Sequence, residues 1–194
     1  MSLKLPTDRF LIIGISGKQR AGKDTLADLL IPECEKSFEH FGQRAYKIGF
    51  ASELKRLAGD IYGLDFNNEE IKVLHREKLI LIGNKLREIE PHFWINALEK
   101  IIPLNARVLL IPDLRFVNEF KWIMYDKAGI SIRIETDKLI RAKRGALSSE
   151  DNVSETELDE YSHGFTVTVN GGLSKEQMLS ECLRKLRAKE HEYI

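Results

Sequence analysis

The chain of 194 residues has only two cysteines and no excess of charge of either sign. Cys34 and Cys182 each stand alone in a predicted helix, which argues against a disulfide framework or a metal cluster and indicates a reducing compartment. Lysine plus arginine and aspartate plus glutamate number 30 each, so no overall field favours nucleic acid or a membrane. No apolar run approaches the length of a bilayer span, and residues 1–6 lack a signal-peptide core. We therefore expect a cytoplasmic protein without nucleic-acid or membrane partners.

Short apolar segments alternate with helical patterns along the chain. Segments rich in Ile, Val and Leu predict five buried parallel strands at residues 9–16, 45–50, 107–111, 130–135 and 165–169. The predicted helices are residues 23–41, one capped by Ser52, 69–89 capped by Asn68, 93–101, 116–127, and one opened by a capping box at Ser174. The alternation predicts a single-domain α/β fold, with a five-stranded parallel sheet in three layers.

Two regions interrupt this alternation. A helical insertion occupies residues 51–102, and a polar, charged excursion occupies residues 136–162. Neither is needed to close a core, and we expect both at the edge of the sheet where the carboxyl ends of the strands meet. Ligands bind at that edge in open α/β sheets.

The loop between the first strand and the first helix has the pattern of a phosphate-binding P-loop. Its glycines allow a tight turn with inward N–H groups, the helix N-terminus adds positive potential, and Lys23 can reach the outer phosphates. Asp24 stands where Ser or Thr usually binds magnesium, so it either holds Mg²⁺ or only favours the first helical turn. The predicted ATP-binding residues of the loop are Gly17, Lys18, Gln19, Arg20, Ala21, Gly22, Lys23, Asp24 and Thr25.

Two further strand ends carry candidate site residues. Asp113 follows the third predicted strand and could orient magnesium-bound water, although an ordinary turn residue is an equal interpretation. Asn170 and Gly171 follow the last strand and are typical of a turn, whose backbone could also edge an adenine.

Arginines recur in the regions where phosphates would bind, and a guanidinium can grip phosphate oxygens in two places. Arg115 follows the third strand, and Arg76 and Arg87 lie eleven apart on a predicted insertion helix, near one face. Arg141 and Arg144 are three apart in the 136–162 excursion, and we predict that they close over the phosphates and stabilise transition-state charge. Each arginine taken singly also fits a solvated surface position.

From about residue 10 to residue 183 the chain resembles the deoxynucleoside monophosphate kinases of tailed bacteriophages. The matching segments are the P-loop with Asp24 after Lys23, residues 51–55, and Arg76 together with residues 82–83. They continue with residues 91–94, 112–115, 154–157 and 169–171. The resemblance implies an NMP-kinase-like fold that uses ATP and Mg²⁺ to phosphorylate a deoxynucleoside monophosphate. In this scheme residues 51–102 form the monophosphate-binding region and residues 136–162 form the lid.

The resemblance also implies a role for each candidate residue. Catalysis would fall to Lys23, Arg115, Arg141 and Arg144. Substrate binding would fall to Lys55, Arg76, Arg87, Asp113, Arg115 and Glu155, metal binding to Asp24 and Asp113, and nucleotide binding to the P-loop with Asn170 and Gly171.

Animal phosphomevalonate kinases are also similar, so the acceptor stays open between two classes. They share the Gly-Lys-Asp loop, Arg76 and Arg87 in register, Asp-x-Arg at 113–115 and Arg-x-x-Arg-Gly at 141–145. Val153 stands where the phage enzymes often have His, and the insertion is shorter than in their larger members. A nucleotide-dependent switch is a third interpretation, which the arginine-rich lid disfavours. A homodimer is left open, and a phage-encoded protein would act in the host cytoplasm.

Overall fold

The structure is a computed structural model that describes residues 5–6, 9–38, 42–145, 147 and 152–190. The chain divides into two compact units, one formed by Met1–Lys47 with Pro103–Ile194 and the other by Ile48–Ile102. The second unit covers the segment of the predicted helical insertion. Residues 146 and 148–151 of the predicted lid lie outside the described residues.

A five-stranded parallel sheet forms the centre of the first unit, in the strand order β2-β3-β1-β4-β5. The strands are β1 (Leu11–Ser16), β2 (Ala45–Lys47), β3 (Val108–Leu114), β4 (Ile130–Glu135) and β5 (Val167–Asn170). All six residues of β1 are buried, as expected for a central strand covered on both faces. The predicted parallel sheet of five strands is therefore confirmed.

Helices cover both faces of this sheet. The α-helices of both units, in chain order, are α1 (Lys23–Glu35), α2 (Ala51–Tyr62), α3 (Glu69–Leu74), α4 (Arg76–Ile89), α5 (Phe93–Glu99), α6 (Val117–Lys121), α7 (Lys138–Lys143), α8 (Val153–Thr156) and α9 (Lys175–Ala188). Of these, α2 to α5 belong to the second unit. Leu30 of α1 and Cys182 of α9 belong to one buried cluster with Ile13 of β1. On the other face, Ile123 of the π-helical turn after α6 lies so close to Gly14 that a Cβ there would be 2.5 Å from its Cδ1. The unit thus has the predicted three layers.

Strand β3 is longer than its sequence predicts, because it continues through Pro112 to Leu114. The pairing of β1 with β3 shifts register between Gly14 and Ser16, which indicates a bulge. Proline has no N–H to donate and is accommodated at such a bulge. Asp113 is therefore a strand residue near the carboxyl end of β3, not a residue that follows the strand.

Several helix boundaries also differ from prediction. Helix α1 ends at Glu35 and a 3₁₀ turn follows to Phe38, while residues 39–41 lie outside the described part. Ser52 lies inside the first turn of α2, where its Oγ accepts a hydrogen bond from Gly49 N at 3.2 Å. The single helix predicted for 69–89 is two helices, since His75 leaves helical geometry at φ −115° and ψ 22°.

Two predicted caps are confirmed. The Asn68 side chain accepts hydrogen bonds from the first amides of α3, at 2.9 Å from Glu70 N. Ser174 and Gln177 form the reciprocal capping box that begins α9, with bonds of 3.2 and 3.1 Å. These caps satisfy backbone N–H groups that the first turn of a helix leaves without a partner.

The second unit contains α2 to α5 around a small apolar cluster of its own. Ala58, Phe66 and Leu79 form its buried centre. Trp94 is buried and donates from Nε1 to the carbonyl of Gly83 at 3.1 Å, so this aromatic residue anchors α5 to α4. Among the described residues of both units, none of the helices combines the length and apolar character needed to cross a bilayer.

Candidate active site

The P-loop connects β1 to α1 through backbone that only glycine adopts readily. Gly17 has φ +150° and Gly22 has φ +107°, and a Cβ at Gly17 would meet the Ile134 carbonyl oxygen at 2.7 Å. The Lys23 side chain folds back over this loop, donating to the carbonyls of Gly17 at 2.7 Å and Lys18 at 2.9 Å. The predicted phosphate loop therefore encloses its own lysine at the start of α1.

Lys23 is a buried cation beside charges of both signs. The pKa of Lys23 is lowered from its ordinary value to about 7, chiefly by burial and secondly by the nearby Arg115 guanidinium. The carboxylates of Glu155, Asp24 and Asp113 act in the opposite direction. An anion placed beside Lys23 and Arg115 would relieve their repulsion, so the site is suited to a phosphate.

Arg115 is held at the end of β3 by two glutamates. Its backbone N–H donates to Glu119 Oε2 at 3.0 Å, and Glu119 is buried. Its Nη1 donates to a carboxylate oxygen of Glu155 and to the Ser154 carbonyl at 3.1 Å. Burial raises the pKa of Glu155, but Arg115, Lys23 and the backbone N–H of Gln19 together hold it below its ordinary value. Glu155 is thus an ionised carboxylate between cations.

A second ionic network ties the P-loop to β4. The Asp159 carboxylate accepts from Lys18 Nζ and, at 2.6 Å, from Arg133 Nη2. Arg133 also donates to Ser16 Oγ at 3.1 Å. Sequence reasoning did not single out Asp159, Arg133 or Glu119. The signal for Arg133 was present, because a charged residue inside the apolar strand Ile-Ser-Ile-Arg-Ile must find a buried partner.

The two lid arginines donate to carbonyl groups of the P-loop. Arg141 is buried and bonds from Nη1 to Gln19 O at 3.3 Å. Arg144 bonds to Arg20 O at 3.0 Å, to Ala21 O at 3.1 Å and to Gly171 O at 2.5 Å. Both guanidinium groups therefore lie at the P-loop, where their bonds hold α7 against the loop.

A cleft of about 320 Å³ opens beside the N-terminus of α1. Its lining residues are Arg20, Gly22, Lys23, Asp24, Thr25, Arg144, Gly171, Leu173, Lys175 and Met178. The wall made by Leu173 and Met178 is apolar, while the P-loop end is cationic, which matches a base at one end and phosphates at the other. Asn170 Oδ1 accepts from Gly172 N at 2.8 Å and so shapes the turn after β5, and a nucleotide contact by this turn stays a prediction.

The candidate metal ligands are few. The described residues contain no group of three or more His, Cys, Asp or Glu side chains that could hold an ion. Asp24 and Asp113 both lie near enough to Lys23 to raise its pKa. Mg²⁺ commonly takes one or two carboxylates and completes its shell with water and phosphate oxygens, so this pair fits Mg²⁺ held together with a nucleotide.

The remaining predicted residues belong to the second unit. Arg76 begins α4 and Arg87 lies in its last turn, which places them on one face of a single helix as predicted. A Cβ added to Gly83 would be 3.4 Å from Arg87 Nη1, so this guanidinium lies along the helix. Lys55 lies in α2. All the other predicted site residues lie in the first unit.

Comparisons with known proteins agree with this architecture. A sequence model of the family described as phosphomevalonate kinase matches residues 15–128. The structure is similar to a gluconokinase from Sinorhizobium meliloti 1021, with TM-score 0.53 and 16% identity over 95% of this chain and 97% of that one. It is also similar to shikimate kinase from Bacteroides thetaiotaomicron, with TM-score 0.50 and 12% identity over 93% and 98% of the two chains. At such identities the two structures show the fold. No curated protein sequence matched the chain.

Proposed function

The chain belongs to the phosphomevalonate kinase family, and from this premise we propose that it transfers the γ-phosphoryl group of ATP to a deoxynucleoside monophosphate. The family makes it an ATP-dependent phosphotransferase of the P-loop kinase type. The acceptor proposal draws on the motifs shared in order with the phage kinases, which continue past the C-terminal end of the family match to residues 154–157 and 169–171.

The pairing of Lys23 with Arg115 carries the proposal. Arg115 lies close enough to the buried Lys23 to lower the pKa of that lysine, and two cations so placed favour anionic ligands. Lys23 and the P-loop amides would hold the donor phosphates, while Arg115, at the adjoining strand end, would hold the phosphate of the acceptor. An acceptor that already carries a phosphate monoester therefore fits this site better than a neutral alcohol.

The transfer step needs little covalent chemistry from the protein. An oxygen of the acceptor phosphate attacks the γ-phosphorus, the bond to the β,γ-bridging oxygen breaks, and ADP leaves with that electron pair. A phosphate monoester is largely dianionic at pH 7, so the attacking oxygen requires no general base. Asp24 and Asp113 would hold Mg²⁺, which supplies charge neutralisation on the phosphates when bound. Arg141 and Arg144 stay predicted to stabilise transition-state charge, and Lys55, Arg76 and Arg87 to bind the acceptor.

Phosphomevalonate is the second candidate acceptor, favoured by the description of the matched family. It also presents a phosphate monoester to Arg115, so the two proposals share the donor site and the reaction. They differ in the part of the acceptor that lies away from the phosphate.

A coupled assay for ADP production tests the function directly. ATP would be supplied with each deoxynucleoside monophosphate, each ribonucleoside monophosphate and phosphomevalonate in separate reactions. We expect turnover with at least one deoxynucleoside monophosphate and little ATP hydrolysis without an acceptor. Turnover with phosphomevalonate alone would select the second candidate, and acceptor-independent hydrolysis as the sole activity would favour a nucleotide-dependent switch.

A further inference from the structure

The Glu155 carboxylate joins two parts of the site that have separate tasks. Its side chain is only 1% exposed, and both oxygens are engaged. Oε2 accepts from the P-loop amide of Gln19 at 2.7 Å, and Oε1 accepts from Arg115 Nη1. One carboxylate thus bonds at once to the loop that would hold the donor and to the arginine that would hold the acceptor.

We propose that Glu155 is a positioning residue that couples the binding of the two substrates. The inference rests on the proposed function, because it takes Arg115 as the group that meets the acceptor phosphate. A nucleotide that orders the P-loop would, through Gln19 and this carboxylate, also order the Arg115 guanidinium. Each substrate would then bind more tightly when the other is present, as linkage requires of any such coupling.

The carboxylate is not needed merely to attach its own segment. The Glu155 carbonyl accepts from Lys18 Nζ at 2.6 Å, the Ser154 carbonyl accepts from Arg115, and Asp159 binds Lys18. The segment that carries α8 is therefore fixed to the P-loop and to Arg115 by bonds that do not involve the Glu155 side chain. What the side chain adds is the direct link between Gln19 and Arg115.

Glu155→Gln is the sharpest substitution because it keeps the size of the side chain. A carboxylate offers two accepting oxygens, whereas an amide offers one oxygen and one donating nitrogen. Because Gln19 N and Arg115 Nη1 bond to different oxygens of Glu155, a glutamine in the same orientation can accept from only one of them. Loss of a hydrogen bond to a charged group corresponds to about a tenfold to hundredfold change in an equilibrium constant.

The first experiment measures affinity for the acceptor identified by the coupled assay, with and without the β,γ-imido analogue of ATP. In the unsubstituted protein the analogue should tighten acceptor binding. In Glu155→Gln this tightening should disappear, while the affinity for the analogue itself should change less than about threefold. Glu157→Gln is the matched control, since Glu157 accepts from Val117 N at 2.8 Å and the amide oxygen can replace it. Equal tightening in Glu155→Gln and the control would overturn the proposal.

A double-mutant cycle with Arg115→Met separates positioning from a general structural effect. If Glu155 acts through Arg115, Glu155→Gln should raise the acceptor KM in the parent protein but should have no further effect in the Arg115→Met background. Additive effects of the two substitutions on KM would contradict the proposed link, whatever the stability of the single variants.

A chemical measurement that needs no acceptor tests the role of Glu155 independently of the proposed phosphoryl transfer. Phenylglyoxal modifies accessible arginines, and mass spectrometry of the peptide that contains Arg115 gives its rate. Glu155→Gln should raise that rate severalfold in the free protein, and Glu157→Gln should leave it unchanged. If no monophosphate is ever phosphorylated, the proposed function fails while this measurement still tests the link. Equal rates of Arg115 modification in the unsubstituted protein and both variants would overturn the proposed link between Glu155 and Arg115.

Discussion

Lys23 is a residue whose protonation should follow the occupancy of the site. Its pKa is lowered to about 7 in the free protein, first by burial and then by Arg115. A bound polyphosphate favours the ammonium form, so at pH values between this pKa and the ordinary one nucleotide binding must take up a proton. Affinity for ATP should therefore fall as pH rises above about 7, where the free protein increasingly holds a neutral amine.

Calorimetry in two buffers with different ionisation enthalpies measures this proton uptake. At a pH of about 8.5 we expect close to one proton per ATP bound, because that pH lies between the lowered pKa and the ordinary one. Lys23→Met should abolish the uptake and lower turnover by orders of magnitude. An equal proton uptake in the variant would assign the proton to a different group.

The same pKa has a consequence for stability. Because the pKa of Lys23 is lower in the folded than in the unfolded chain, the unfolded chain binds more protons between about pH 7 and the ordinary value. The contribution of Lys23 to the free energy of unfolding therefore increases with pH across that window and is constant below it. Replacement by Met should remove this dependence.

Gly171 and its neighbour Gly172 offer a matched pair for testing close packing beside the P-loop. A Cβ on Gly171 would lie 2.1 Å from Thr136 Oγ1 and 2.6 Å from the Ala21 carbonyl oxygen, and backbone cannot easily move away. A Cβ on Gly172 would approach nothing closer than 3.1 Å. Gly171→Ala should thus lower the free energy of unfolding by about 1–3 kcal/mol.

Denaturant titration of both variants checks this expectation, with Gly172→Ala as the control because it makes the same glycine-to-alanine change at the neighbouring position. The control should lose clearly less stability than Gly171→Ala. Similar midpoints for the two variants would show that the turn after β5 can move away from the P-loop.

At the scale of elements, α7 is joined to the P-loop through arginine side chains. Arg144 bonds to three carbonyl groups, and Arg20 returns a bond from its Nη1 to the Arg144 carbonyl at 3.0 Å. Lysine keeps the charge but cannot make this planar set of bonds. Arg144→Lys should lower kcat about tenfold or more and leave the ATP affinity nearly unchanged, because transition-state stabilisation appears in turnover.

Steady-state kinetics of Arg144→Lys beside Lys143→Ala tests that assignment. Lys143 is exposed at the end of the same helix, so its removal tests the effect of charge alone. Unaltered turnover and acceptor KM in Arg144→Lys would mean that Arg144 only attaches α7 to the P-loop and takes no part in the transfer.

The elements also show where sequence reasoning succeeds and where it does not. The buried strands and the Asn68 and Ser174 caps depend on local chemistry, and they were predictable. The break at His75 and the bulge that extends β3 past Pro112 depend on tertiary packing, which a local pattern does not record. The same holds for the site: the P-loop follows from spacing, whereas Glu155, assigned only by resemblance, takes its position from contacts with residues distant in sequence.

At the scale of the whole molecule, the two units differ in how much apolar surface each buries. The first unit has a large cluster of buried side chains that includes Leu11, Leu26 and Ile132, whereas the cluster described around Ala58, Phe66 and Leu79 in the second unit is smaller. Local opening requires less free energy where fewer apolar contacts are lost. We therefore expect α3 and α4 to exchange their amide hydrogens through partial opening, and β1, β3 and β4 through global unfolding.

Native-state hydrogen exchange with and without the β,γ-imido analogue of ATP tests this division. The described contacts of the P-loop lie in the first unit, so a ligand bound there should stabilise the strands and leave the opening of α3 and α4 unchanged. At one hundred times its dissociation constant the analogue should stabilise by about 2.7 kcal/mol, which slows exchange in the strands about a hundredfold. Equal slowing in both units would mean that they open together, since a ligand slows exchange only through openings that release it.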